Sequence, residues 1–529
     1  MRVTSLFLTM ALCTVAAAPA ALGDDQPHAS RLHGDLTAGP HPVGFTRLVL
    51  RDDTRPEGPA HRDGRVVPLD RRARPITVDV WYPAVRSADA PMSVSDYLVA
   101  HRSPVAPTDL QEQRAERAAM LRRTLSGYGT LDDASFDALL ADTFLAVRDA
   151  APAPGPFPLI VGQLRPFATT ITNEHLASHG YVLAYVSGGD GHELDPGRGL
   201  EVAVRDMEVA VARLRRTRPQ VDPAALGALG FSGAGFSQIL LAMRHPDVMA
   251  VCDLESAIFD DRVMWPLQRG WGYDVAALRV PFLHMYGVPL SEHENRRADF
   301  EQMRYSTRYH YLADAPGLTH ADFATEGMLA SLTPGLRGAQ GTRTRQVFET
   351  TNRYLRAFFD AHVKKDAAAR AFLESRPEAN GTVERLVTMR VLPAIVPAMT
   401  AEEFGARLQR HGGEVALGQF RADRARDPQA PVFEERSLNA VGYRLFHARA
   451  FEPAVAVLRE VVEMYPASPN AYDSLSEVLE GAGRTDEARA VAQRGVVVAA
   501  APSVTPGDRE AFTRMLRQRL ARLDRSASR

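Results

Sequence analysis

Between about residue 40 and residue 370, short continuous apolar runs alternate with stretches of helical periodicity. Apolar runs at 43–50, 75–82, 157–161, 181–186, 226–231, 249–254, 281–285 and 308–312 read as strands. Most lack the polar alternation of a half-exposed sheet, as expected when both faces are covered. Helical spacing fits 171–179, 200–216, 235–244 and 346–363. Strand and helix in turn predict an α/β class with a mainly parallel, eight-stranded sheet and helices on both faces. A helical, polar-rich stretch at 93–149 interrupts the alternation and is a candidate lid or surface embellishment.

Beyond Lys365 the pattern weakens, and 373–432 carries scattered Pro and Gly, reading as a linker with one or two helices. Leu438, Val441, Leu445, Ala454 and Leu458 then recur 34 residues later as Tyr472, Leu475, Leu479, Ala488 and Ala492. This period, with Pro466 closing the first unit, resembles the tetratricopeptide repeat. An all-α unit is therefore expected over 433–529, with 401–410 starting the stack and 509–523 capping it. Repeats of this kind present concave surfaces, so a protein or peptide partner is expected there.

A length of 529 residues exceeds what one hydrophobic core organises, in keeping with two or three domains. The 62 basic and 64 acidic residues nearly cancel, which argues against nucleic acid as a partner. Arg2, the apolar run 6–18 and the small residues Ala18, Ala20, Ala21 and Gly23 read as a signal peptide over 1–23. That run is too short to span a bilayer, so a secreted or periplasmic protein is expected, with 24–372 as its main domain. Of two cysteines, Cys13 leaves with the signal and Cys252 alone cannot form an internal disulfide. No metal or organic cofactor is expected.

The chemistry centres on Leu226-Gly227-Ala228-Leu229-Gly230-Phe231-Ser232-Gly233-Ala234-Gly235. An apolar strand runs into Gly-Phe-Ser-Gly-Ala-Gly and a helix follows, the arrangement of a nucleophile elbow with Ser232 at its apex. Ala234 stands where glycine is usual. A serine hydroxyl needs an adjacent base, and the elbow's chain order is nucleophile, acid, histidine. Among His245, His284, His293, His310, His320 and His362, only His320 falls in a loop after the last strand. His284 and His310 lie within strands as packed histidines, and His245 ends a helix. The acid stays open at this level: the run 249–254 leads directly to Glu255, and the run 281–285 is followed by Glu292 and Glu294.

Arg74-Pro75-Ile76-Thr77-Val78-Asp79-Val80-Trp81-Tyr82-Pro83, Phe157-Pro158-Leu159-Ile160-Val161, Leu176-Ala177-Ser178-His179-Gly180-Tyr181-Val182, the elbow and the His320 segment together resemble one branch of the α/β-hydrolases. It is the branch of platelet-activating-factor acetylhydrolases and dienelactone hydrolases. The resemblance covers about 330 residues and implies the α/β-hydrolase fold. The acetylhydrolases carry their acid in a Leu-Asp context after the strand that follows the nucleophile helix. Leu254-Glu255 matches that place and implies a Ser232–His320–Glu255 triad, with glutamate replacing aspartate. Dienelactone hydrolases attack with cysteine, which Ser232 argues against.

One oxyanion donor is expected from the Gly233 amide, the other from Leu164 or Arg165 in the loop 161–166. Arg165 is also a candidate contact for an anionic substrate group. The expectation is a serine hydrolase cleaving carboxylic esters of a small-molecule substrate, lipid esters included. The alternatives are a peptidase of the same fold or an inactive hydrolase serving as a binding scaffold.

Overall fold

A computed structural model describes residues 30–56, 61–62, 65–66, 73–100, 110–164, 167–187, 196–256, 273–287, 303–411 and 413–527. The expected signal segment lies outside the described residues. The chain divides into two compact units: 1–302 with 308–392, and 303–307 with 393–529.

In the first unit the strands are β1 (Val43–Pro56), β2 (His61–Arg62), β3 (Arg65–Val66), β4 (Ala73–Pro83), β5 (Ala146–Arg148), β6 (Phe157–Leu164), β7 (Val182–Ser187), β8 (Val221–Phe231), β9 (Val248–Leu254), β10 (Phe282–Gly287), β11 (Arg308–Ala313) and β12 (Val387–Leu392). β2 and β3 form a separate antiparallel pair. The other ten build one sheet in the order β12-β11-β10-β9-β8-β6-β7-β4-β1-β5.

All eight apolar runs are strands of this sheet, but the sheet has ten strands and is mixed. From β7 to β11 every neighbouring pair is parallel. β4 is antiparallel to both β7 and β1, and β12 to β11. Two edge strands were not anticipated. β5 is three residues long and pairs parallel with β1. β12 has intermediate or exposed residues along most of its length, so it lacks a continuous apolar signal. Because β12 pairs with β11, this unit extends to Leu392 and not to residue 372.

Side chains alternate across the strands, so the buried positions divide between two faces. Trp81, Tyr185, Ile160, Leu229, Cys252, Leu283 and Tyr311 pack in one cluster with Ile171 and Leu176 of helix Thr170–Ser178 and with Leu355, Phe358 and Phe359 of helix Gly341–His362. Helices Pro196–Thr217 and Gly235–Arg244 also pack against the strands and against each other.

The stretch 93–149 folds as helices Val94–Ala100, Leu110–Ser126 and Asp133–Ala141, followed by β5. Tyr97 ties its start to the core: its hydroxyl donates to Glu174 Oε1 (2.6 Å) and accepts from Trp81 Nε1 (2.9 Å). The Leu145 and Ala146 amides donate to the same buried carboxylate (2.8 and 3.1 Å).

The second unit is helical: Ala401–His411, Gly413–Arg426, Glu435–His447, Phe451–Met464, Pro469–Gly481, Thr485–Ala499 and Pro506–Ala527. The helices starting at Glu435 and Phe451 recur 34 residues on, at Pro469 and Thr485. Every position of the recurring pattern, from Leu438 to Ala492, is buried. Fully buried Ala454 and Ala488 stand at equivalent places in the two hairpins. Among the described residues no helix is long and apolar enough to cross a membrane.

Candidate active site

β8 ends at Phe231, a 3-10 turn covers Ser232–Ala234, and helix Gly235–Arg244 begins directly. Ser232 has φ +57°, a left-handed conformation that costs a non-glycine residue energy and persists only where its surroundings impose it. Two glycines of the elbow permit the sharp turn. A Cβ on Gly230 would lie 2.7 Å from the Ala234 carbonyl oxygen, and one on Gly235 would lie 2.6 Å from Ser256 Oγ. Gly233 is different: no atom of the described residues lies within 4 Å of where its Cβ would be. Ala234 is buried without displacing the turn, so the departure from glycine there is accommodated. The Ser237 hydroxyl donates to the Ala234 carbonyl (2.8 Å) and lies 3.2 Å from Gln163 Oε1, linking the elbow helix to the end of β6.

His320 opens the 3-10 turn His320–Phe323, which follows β11. Asp322 caps that turn, accepting from the Thr319 amide (2.6 Å) and the Thr319 hydroxyl (3.1 Å). The turn delivers the exposed His320 ring onto Phe231, stacked at 4.9 Å between centroids and 20° between planes. His320 thus lies against the residue that directly precedes Ser232.

The other candidate histidines are engaged elsewhere. His284 is fully buried and donates from Nδ1 to Asp253 Oδ2 (2.6 Å). His310 Nε2 meets the Tyr286 hydroxyl (2.9 Å), and His362 Nε2 meets the Tyr309 hydroxyl (3.0 Å). Burial lowers the pKa of His362 to about 4. His245 ends its helix against Glu208 (2.9 Å), and that hydrogen bond raises its pKa. His293 lies outside the described residues.

Glu255 follows β9 and is buried, also with positive φ (+53°). Phe231 pairs with Leu254 across β8 and β9, so Ser232 and Glu255 leave adjacent parallel strands at one level. The Glu255 amide donates to the Met285 carbonyl (2.6 Å), and its Oε1 accepts from the Gly287 amide (3.4 Å). Glu292 and Glu294 lie outside the described residues. Leu164 ends β6 beside Ser187 of β7, and Arg165 lies outside the described residues. Just beyond, Phe167 takes φ +76°, a third strained position besides Ser232 and Glu255.

The sequence reading missed Asp253. Its carboxylate accepts from His284 and from Ser256 Oγ, and it lies directly under the start of the elbow helix, where only a glycine fits. A negative charge suits a helix N-terminus. The signal was present as two polar residues within apolar strands, Asp253 and His284, which face each other in register.

No protein-family model matches the chain, and no curated protein sequence matches it. Among solved structures, a ferulic acid esterase from Streptomyces cinnamoneus is similar at 20% sequence identity with a TM-score of 0.43, over 67% of this chain and 98% of that one.

Proposed function

We propose that this chain is a serine hydrolase of the α/β-hydrolase fold, cleaving carboxylic esters through Ser232, His320 and Glu255. The observation that carries this reading is the strained Ser232 at a strand-to-helix turn with the His320 ring stacked on its neighbour Phe231. Strained backbone concentrates where function demands it, and an elbow of this kind exposes a serine hydroxyl for attack. Ser232 Oγ attacks the ester carbonyl while His320 accepts its proton. The Gly233 amide, with a donor from Leu164 or Arg165, stabilises the oxyanion. His320 then protonates the leaving alcohol, and water releases the acyl group by the same route. Glu255, one strand over, orients the imidazole and supports its charge.

A fluorophosphonate probe tests the reading, since it labels only an activated serine. Wild type should be labelled and should hydrolyse short p-nitrophenyl esters. Ser232→Ala should remain folded, escape labelling and lose several orders of magnitude in kcat. An unlabelled wild type would leave an inactive scaffold as the better description. The exported location implied by residues 1–23 belongs to the same proposal, as does a small-molecule ester as substrate.

A second role falls to the helical unit, which we read as tetratricopeptide-like. It holds a groove of about 620 Å3 lined by Asn439, Tyr443, Asn470, Ser474 and Asp508 among others. Asn439 is buried there and its Oδ1 has no hydrogen-bond partner among the described residues, a site fit for a backbone amide of an extended peptide. Immobilised peptide libraries probed with the full chain, beside Asn439→Ala, test this. The reading fails if no binder depends on Asn439.

A further inference from the structure

We infer that Tyr128 and Arg337 form a clamp through which the helical insertion sets the turn that presents His320, making both of them positioning residues for ester hydrolysis. This rests on the reading of His320 as the base. The ring of His320 is exposed, so burial does not fix its direction. Whatever holds the turn 319–323 therefore helps to aim the imidazole.

Three contacts from Arg337 bracket His320. Its guanidinium pairs with the fully buried Asp322 carboxylate, which caps the turn. Its NH1 donates to the Gly317 carbonyl (3.2 Å), and its NH2 lies 3.4 Å from Thr319 Oγ1. The same guanidinium lies over the Tyr128 ring, 4.0 Å from its centroid. A planar cation can stack by its face and pair by its edge at once, which an ammonium cannot. Arg337 itself is held at φ +60°, a conformation that needs support from its surroundings.

That support comes from the insertion. Just after helix Leu110–Ser126, the Tyr128 carbonyl accepts from the Arg337 amide (2.9 Å). Gly129 forms an antiparallel bridge with Leu336, so close that a Cβ there would lie against the Gly335 carbonyl. The Tyr128 hydroxyl reaches the turn itself, 3.3 Å from Thr319 Oγ1. Burial raises the pKa of both Tyr128 and Asp322, as expected where solvent is displaced from around the pair. The insertion is therefore docked onto the residue that precedes the base, and its deletion would reach the chemistry without touching substrate.

The test is steady-state hydrolysis of a short p-nitrophenyl ester by the full chain, with fluorophosphonate labelling rate and Tm measured in parallel. Arg337→Gln should lower kcat about 10–100-fold with KM held within about twofold, because misaiming a base by a fraction of an ångström acts on the chemical step. The labelling rate should fall in parallel. Arg337→Lys should recover only part of the loss, since it keeps charge for Asp322 but gives up the stack. Tyr128→Ala should lose about tenfold in kcat and serves as the deciding variant if Arg337→Gln does not fold. A folded Arg337→Gln or Tyr128→Ala with kcat within about twofold of wild type overturns the clamp, as does a loss confined to KM. His320→Ala separates the two levels. If it keeps turnover, the base assignment falls; if it is inactive while the clamp variants are unaffected, only the clamp falls.

Discussion

Gly235→Ala puts one methyl group into the tightest place at the elbow. The added carbon would lie 2.6 Å from Ser256 Oγ and 2.9 Å from Ser256 Cβ, and closer still to Asp253 Oδ1. Asp253 has little room to retreat, because His284 Nδ1 holds its other oxygen at 2.6 Å and all three side chains are buried. Relief of the clash weakens a hydrogen bond to a carboxylate, at about 1.5–3 kcal/mol. Overpacking adds about 1–3 kcal/mol. Better helix propensity for alanine returns at most about 1 kcal/mol, and less at a helix start. The net loss is about 2–5 kcal/mol. Gly233→Ala, two residues away, meets no atom of the described residues and should stay within about 0.5 kcal/mol of wild type. Urea unfolding followed by tryptophan fluorescence reads this directly, because Trp81 is fully buried in the first unit. A Gly235→Ala loss under about 0.5 kcal/mol, or equal damage from Gly233→Ala, refutes the packing argument.

If Glu255 supports His320, Glu255→Gln should lose about 10²–10⁴-fold in kcat while Glu292→Gln and Glu294→Gln stay near wild type; the reverse ranking in ester kinetics moves the acid to the later segment. Burial lowers the pKa of His175 strongly, and that of His179 and His362 to about 4, so between about pH 6.5 and 4 the unfolded chain binds protons that the folded one does not. Stability should accordingly fall as pH drops through that window and be unaffected by these groups above it; a Tm as high at pH 4.5 as at pH 7.5 would contradict this, and His362→Gln should blunt the fall. A chain truncated after Leu392 should keep its kcat/KM on a small ester, whereas one ending at Phe372 strips β12 from β11 and should aggregate through the exposed edge, as light scattering would register.

β7, β9 and β10 were legible because nearly every residue is buried, so each reads as an almost unbroken apolar run. β12, Val-Thr-Met-Arg-Val-Leu, pairs on one side only, and half-exposed edge residues imitate a linker; the domain boundary was misplaced with it. β5 is too short to carry any period. The strand-to-helix turn at Ser232 and the turn that carries His320 after β11 could be placed because both are local patterns. The Asp253–His284 pair needed the register of two strands, which no local pattern supplies. Tyr128 and Arg337 sit in loops of no periodicity, joined only by the fold.

Glu174 bears on how far this protein could be shortened by design. One carboxyl group, buried in helix Thr170–Ser178, is met by groups that all come from elsewhere: Tyr97, the Leu145 and Ala146 amides, and His33 at 3.3 Å. Excising 93–149 would remove the Tyr97 hydroxyl and both amides and leave only His33 beside that carboxylate, so its lost hydrogen bonds, at about 1.5–3 kcal/mol each, would have to be remade by water. A shortened design that drops 93–149 should therefore replace Glu174 with a neutral residue in the same step.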